Sequence, residues 1–247
     1  MIKILLCGYN GAMGETILSS LPNGMEVVAG ISANLDNRDF EVAKLFDDIT
    51  VDFDIIVDFS HVSLLQNVLD FAVLKKKPLL IASTGITDDL HQEIDKASES
   101  VAIVQAGNYS LGIYAMTEAV KHLSAILDDF DLEVIEKHHR YKKDSPSGTA
   151  EMMVEALKSS RDDIYTVHGR EGQSESKPLN EVGVHSIRSG SIVGEHSVIF
   201  SGEDEVLEIK HTASSKIIFA TGAYKAIRYI LNKDKGRYTL KDVVENA

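Results

Sequence analysis

Ile2-Lys3-Ile4-Leu5-Leu6-Cys7-Gly8-Tyr9-Asn10-Gly11-Ala12-Met13-Gly14 decides the fold. The run from Ile2 to Cys7 is apolar and β-prone, the pattern of a strand buried on both faces. Glycines follow at positions 8, 11 and 14, and Ile17, Leu18 and Leu21 then recur at helical spacing. Strand, glycine turn and helix, in that order, form the context of a dinucleotide-binding turn. Glycine permits the tight turn and lets a pyrophosphate approach backbone N–H groups at the helix start. The spacing is GxxGxxG rather than GxGxxG. An ordinary strand–helix turn shares it, so the flanking sequence has to decide.

Residues 25–32, 53–59, 79–82 and 101–105 are further short apolar runs, with helical patterns at 63–74 and 88–98. Alternating strands and helices over residues 1–110 predict an α/β fold with a Rossmann-type, doubly wound parallel sheet. Ligands of such sheets lie at the carboxyl ends of the strands. Here those ends carry the glycine turn, Ser83-Thr84-Gly85 and Gly107-Asn108-Tyr109-Ser110, which are expected to line a cofactor site. Residues 33–48 are polar and receive no assignment. Lys75-Lys76-Lys77 reads as a solvated helix end that complements the helix dipole.

The pattern changes after a helix at 111–127, whose shared face is read as Ala115, Ala119, His122, Leu123 and Ile126. Strands at 131–139, 183–188, 192–200 and 206–211 predict an α+β domain built on a mixed four-stranded sheet. A helix at 150–160 places Ala150, Met153, Val154 and Leu157 on one face. Residues 162–181 are long, polar and glycine-bearing, a segment of lid or partner-contact type. The helix at 217–231 is expected to return to the first domain. The division that follows is a dinucleotide-binding domain over 1–110 with 217–247, and a substrate-binding and oligomerisation domain over 111–216.

The densest basic cluster lies in Glu136-Lys137-His138-His139-Arg140-Tyr141-Lys142-Lys143-Asp144-Ser145-Pro146-Ser147-Gly148-Thr149-Ala150. Histidine titrates near neutral pH, and lysine donates to an anion or acts as an acid. Ser147, Gly148 and Thr149 fall where a helix start exposes unpaired N–H groups, a ready anion site. The combination suits a small carboxylate held beside a proton donor. A solvated basic loop ahead of an N-capped helix explains each residue singly but not the conjunction. Adjacent strand residues point to opposite faces, so His138 and His139 are expected to have different roles, and no metal site is expected from the pair.

Composition narrows the classes. The chain has 247 residues, a formal net charge of −13 and a single cysteine, Cys7. A broad basic face for nucleic acid is not expected, nor is a disulfide or a cysteine-based zinc site. No apolar run approaches a membrane span. The expected setting is cytoplasmic.

The run from Glu136 to Ala150 resembles the signature of the 4-hydroxy-tetrahydrodipicolinate (dihydrodipicolinate) reductase family, E-x-H-H-x-x-K-x-D-x-P-S-G-T-A, at every fixed position. The glycine turn, Asp58-Phe59-Ser60, Ser83-Thr84-Gly85, Asn108-Tyr109-Ser110 and Ile187-Arg188-Ser189-Gly190 agree in order. The resemblance implies hydride transfer from NADPH or NADH to an unsaturated cyclic dicarboxylate, in lysine and diaminopimelate synthesis, by a homotetramer. It implies that His138 and Lys142 are catalytic and that His139, Lys142, Ser147, Gly148 and Thr149 hold the substrate. It further implies cofactor contacts at Gly8, Tyr9, Asn10, Gly11, Ala12 and Met13, at Phe59 and Ser60, at Ala82, Ser83 and Thr84, and at Ala106, Gly107, Asn108 and Tyr109. The rival readings are another Rossmann-type dehydrogenase of an amino-acid-derived substrate and a catalytically silent NAD(P)-binding regulator.

Two departures bear on the cofactor. Ala12 stands where the family commonly has Arg, and Ser32-Ala33 stand where it commonly has a charged residue. An acid after the second strand would hold the ribose hydroxyls and repel a 2′-phosphate, and none occurs before Asp36. Ser32 can serve either form, and Arg38 can reach a phosphate if its loop folds back. Use of both cofactors is expected, with NADPH modestly preferred.

Overall fold

A computed structural model describes residues 1–161, 163–173 and 176–246. The chain divides into two units, Met1–Leu111 with Lys216–Ala247, and Gly112–Ser215.

In the first unit, strands β1 (Ile2–Cys7), β2 (Met25–Ile31), β3 (Glu41–Ala43), β4 (Ile55–Asp58), β5 (Leu79–Ile81) and β6 (Ala102–Gln105) alternate with helices α1 (Ala12–Ser20), α2 (Leu65–Lys75) and α3 (Asp88–Ser98). With β12 (Gly236–Tyr238) they form a seven-stranded sheet in the order β12-β6-β5-β4-β1-β2-β3, all pairs parallel. The apolar runs are strands because both faces are covered: Ile4, Leu5, Leu6, Ile55, Ile56 and Val57 are fully buried. The chain runs outward from β1 to β3, then restarts at β4 on the other side of β1. That reversal is the topological switch point where such sheets bind ligands. Helix α6 (Ile217–Ile230) packs on α1 and β5, with the Tyr224 hydroxyl donating to the Ile17 carbonyl at 2.9 Å.

The strands β3 and β12 were not expected. Each has three residues and lies at an edge of the sheet, too short for a periodic signal.

In the second unit, the sheet has the order β11-β10-β7-β9-β8. Its strands are β7 (Asp131–His138), β8 (Tyr165–His168), β9 (Glu181–Arg188), β10 (Gly194–Ser201) and β11 (Val206–Ala213). β7 pairs antiparallel with β10 and parallel with β9, so the sheet is mixed as expected, but it has five strands rather than four. The fifth, β8, falls inside the segment read as a loop, of which Asp162, Ser174 and Glu175 lie outside the described residues. It is a half-exposed edge strand whose neighbourhood is fixed by charge. Arg170 and Lys177 both donate to Glu133, and Arg170 also donates to Glu181. Hydrophobic periodicity cannot reveal an element held in that way.

Helices α4 (Leu111–Ile126) and α5 (Gly148–Lys158) supply the core of this unit against Leu132, Val134, Val198 and Phe200. The α5 face is the expected one, with Ala150, Met153, Val154 and Leu157 buried. The α4 face is not. Ile113, Met116, Val120 and Ser124 face inward, while Ala115, His122 and Ile126 are exposed. The larger apolar side chains remove more area from water than alanines do, and they set the helix rotation.

Candidate functional site

The glycine turn after β1 has the shape a dinucleotide needs. Gly8 has φ +77°, and a Cβ there would come within 2.8 Å of the Phe59 carbonyl at the end of β4. A Cβ on Gly14 would collide with the Gly8 and Tyr9 carbonyls. Both positions therefore require glycine. Gly11 caps α1 without any side-chain hydrogen bond. First-turn N–H groups of a helix have no intrahelical partner and attract anions, so the turn fits a pyrophosphate. Gly11 and Ala12 are exposed there, and Asn10 and Met13 are half-buried.

Around the turn, Asn10 donates to the Asn34 carbonyl at 2.6 Å, and the Ser32 hydroxyl donates to the Asn10 side chain at 2.7 Å. The loop after β2 does fold back. Arg38 meets Glu15 at 2.5 Å and Asp36 at 2.6 Å, and lies over the Tyr9 ring. The hydrogen bonds that the guanidinium donates to Asp36 and Glu15 hold it well above its ordinary pKa. The arginine is in place, but its charge is already matched by two carboxylates.

The other strand ends bring Phe59, Ser60, Ala82, Ser83, Thr84, Ala106, Gly107 and Asn108 to the same edge of the sheet. Ser60 donates from its amide and hydroxyl to Asp58, whose burial raises the carboxyl pKa. Tyr9 and Tyr109 differ from the expectation in one respect: their side chains are core. Tyr9 is fully buried, and the Tyr109 hydroxyl donates to the Ile81 carbonyl at 2.9 Å. Any contact from these two residues to a nucleotide comes from the backbone.

The second unit carries a site of a different kind. β7 alternates half-buried and buried residues along its length, so Glu136 and His138 share the inner face. Glu136 is fully buried. Its carboxylate accepts from His138 Nδ1 at 2.6 Å, from Arg188 at 2.7 and 2.8 Å, and from the Ser147 amide at 3.2 Å. Burial works to raise its pKa, but Arg188 and His138 outweigh this and hold it down to about 2. His138 itself is pushed below its ordinary value, by burial and by the nearby Lys142 and Arg188 charges, against the pull of Glu136.

Lys142 follows on the next loop. Its ammonium is paired with Asp144 at 2.7 Å, and Asp144 is largely exposed. Ser147 caps α5 by accepting from the Ala150 amide at 3.2 Å, and its hydroxyl also bonds His196 Nε2 at 2.8 Å. His196 stacks edge-on against His138, with centroids 5.2 Å apart. Burial and the His138 charge push its pKa down to about 4. Gly148 is exposed at the helix start, and His139 is half-buried just beyond the strand. The structure thus brings His138, Ser147 and the Lys142 loop to one anchor. Glu136, Arg188 and His196 had no assigned role in the sequence, although Glu-x-His on a strand places both residues on one face and was the available signal. Among the described residues, no group of three His, Cys, Asp or Glu could hold a metal ion, and no helix is long and apolar enough to cross a membrane.

Residues 2–109 match the family model "Dihydrodipicolinate reductase, N-terminus", and residues 112–244 match "Dihydrodipicolinate reductase, C-terminus". A 4-hydroxy-tetrahydrodipicolinate reductase of Caldanaerobacter subterraneus subsp. tengcongensis is 38% identical, with all of both chains covered. One from Clostridium botulinum is 40% identical over 99% of this chain and 98% of its own. A dipicolinate-bound dihydrodipicolinate reductase from Paenisporosarcina sp. TG-14 shares the fold, with a TM-score of 0.78, 20% identity and 97% of each chain covered.

Proposed function

The chain belongs to the dihydrodipicolinate reductase family, and from that premise we propose that it reduces 4-hydroxy-tetrahydrodipicolinate to tetrahydrodipicolinate in lysine and diaminopimelate biosynthesis. It is an oxidoreductase that uses a nicotinamide cofactor. The observation that carries the assignment is the buried Glu136–His138–Arg188 cluster beside the Ser147 helix start and the Lys142 loop, within a chain matched along its whole length. The reaction takes up one hydride and one proton and releases one water. A bound reduced nicotinamide supplies the hydride.

The residues of the chain supply the rest. The turn at Gly8, Asn10, Gly11, Ala12 and Met13 holds the pyrophosphate through backbone N–H groups. His139, Ser147, Gly148 and Thr149 hold the substrate carboxylates, aided by the Lys142 ammonium, which leaves exposed Asp144 for the better-placed anion. His138 and Lys142 carry the proton and stabilise the charge that develops during transfer. Both NADPH and NADH serve, with NADPH modestly preferred. Arg38 provides that bias by exchanging Asp36 for a 2′-phosphate.

We also propose a cytoplasmic homotetramer joined through the second unit's sheet. Its edge strand β11 leaves Val206 and Leu207 exposed, and an uncovered apolar edge strand calls for a partner. Light scattering at micromolar concentration should give four times the 27.1 kDa chain mass; a monomer mass contradicts it. The reaction is tested by product analysis with NADPH deuterated at both C4 positions. One deuterium should appear in tetrahydrodipicolinate, and unlabelled product or unchanged substrate contradicts the assignment.

A further inference from the structure

Glu136 has more to do than fill a strand position. A carboxylate removed from water is costly unless it is paired and fully hydrogen-bonded. This one is satisfied from three elements at once: His138 on its own strand, Arg188 on β9 and the Ser147 amide at the start of α5. The Arg188 guanidinium continues outward, donating to the Asp144 carbonyl at 2.7 Å, in the loop that carries Lys142. Strand register supports the arrangement. Arg188 pairs with His138 across β7 and β9, and His196 pairs with Glu136 across β7 and β10.

An imidazole hydrogen-bonded to a carboxylate through Nδ1 has its tautomer fixed, and Nε2 then gains and loses the proton. His138 Nε2 faces Gly194, where a Cβ would approach to 3.1 Å, so the lack of a side chain at that position leaves room beside the nitrogen. The charged or titratable groups facing this imidazole are Glu136 on β7, Lys142 on the following loop, Arg188 on β9 and His196 on β10. Of these, only Glu136 favours the protonated ring.

We propose that Glu136 is a positioning residue of the reduction: its carboxylate holds the His138 ring with Nδ1–H inward and Nε2 outward as the proton carrier, and through Arg188 and the Ser147 amide it ties the Lys142 loop and the substrate-binding helix start to the same anchor. The inference rests on His138 as proton carrier, as proposed above. No step passes through Glu136, which stays ionised.

The test is Glu136→Gln, which keeps size and an acceptor but removes the charge. Turnover should fall about 10- to 100-fold with the NADPH dissociation constant unchanged. The pH limb of kcat assigned to His138 should move to lower pH by about 1 unit or more, the usual effect of losing an adjacent opposite charge. Glu136→Asp should return part of that limb. A wild-type kcat, or a uniform loss with an unmoved limb, overturns the proposal. Where the variant fails to fold, ring nitrogen NMR of ¹⁵N-histidine wild-type protein decides, with His138 assigned by its absence in His138→Gln. The Nδ1–H tautomer is expected at neutral pH, and the Nε2–H tautomer overturns the proposal. The NMR result stands whether or not the protein turns over the dicarboxylate, so failure of the functional reading is separable from failure of this one.

Discussion

Asp58 and Glu136 are both fully buried carboxylates near the ends of strands, and they show how differently the two units build their sites. Asp58, in the first unit, accepts from the Ser60 amide and hydroxyl on one oxygen, and burial raises its pKa. Glu136, in the second, has Arg188, His138 and Ser147 around it and is held down to about 2. The cofactor site proposed for the first unit is built from backbone: a glycine turn, strand ends and a helix start. The substrate site proposed for the second is built from side chains wired to a buried acid. A backbone site offers shape and a partial positive charge, which suits a cofactor. A side-chain site offers placed protons and full charges, which suits the chemistry.

Substitutions in the two regions should therefore fail in different ways. Lys142→Ala should reduce turnover by about 100- to 10,000-fold, the usual cost of a positioned acid. NADPH affinity, read by quenching of its fluorescence, should stay within about twofold of wild type. A parallel loss of affinity would mean that the division of labour is drawn in the wrong place.

Gly14→Ala should show the reverse. Its Cβ meets the Gly8 and Tyr9 carbonyls, which are backbone and cannot give way cheaply. Overpacking of this kind costs about 1–3 kcal/mol. Cofactor affinity should drop at least tenfold, while the His138 tautomer is unchanged. Normal affinity in this variant would remove the glycine turn from the cofactor site.

Acid should also separate the units. Glu133 and Glu136 have folded pKa values depressed to about 2 from an ordinary 4.5. Their contribution is full above the unfolded value and is lost as pH falls toward the folded one. His196, depressed to about 4 from 6.5, follows the same sign, and its contribution fades as pH falls from 6.5. Asp58 runs the other way: its pKa is raised, so protonation favours its folded form and the contribution is lost as pH rises. Hydrogen exchange followed from pH 7 down through 4.5 and on toward 2 should show β7, β9 and β10 losing protection before β1 and β4. The opposite order would contradict the pairing assigned to Glu136.

What the sequence made legible follows the same division. Periodicity and glycine spacing were enough for β1, β2, β4, β5 and β6 of the first sheet, because those strands are largely buried and read as apolar runs. Ser147 to Thr149 and His138 were legible as a conjunction of residue types with chemical uses. The short edge strands β3 and β12 were not, since three residues carry no period. Nor was β8, whose surroundings are held by Arg170, Lys177 and Glu133 through pairs 37 to 44 residues apart. Arg38 shows a finer limit. Its place beside the turn was foreseeable from a folded-back loop, but its two carboxylate partners were not, because Glu15 reaches it from a different element.

The smallest effect sharpens that point. Arg38→Ala should lower the NADPH:NADH ratio of kcat/KM by roughly tenfold, about 1.4 kcal/mol for one charge-assisted contact. Glu15→Gln, which frees part of the guanidinium, should raise it. An unchanged ratio in both variants would clear Arg38 of any part in selectivity.

The most direct test of the central claim is a continuous assay of NADPH absorbance with freshly generated 4-hydroxy-tetrahydrodipicolinate. The expected result is enzyme-dependent loss of one NADPH per substrate. Tight NADPH binding with no absorbance loss at any substrate concentration would contradict it and leave a nucleotide-binding protein without this chemistry.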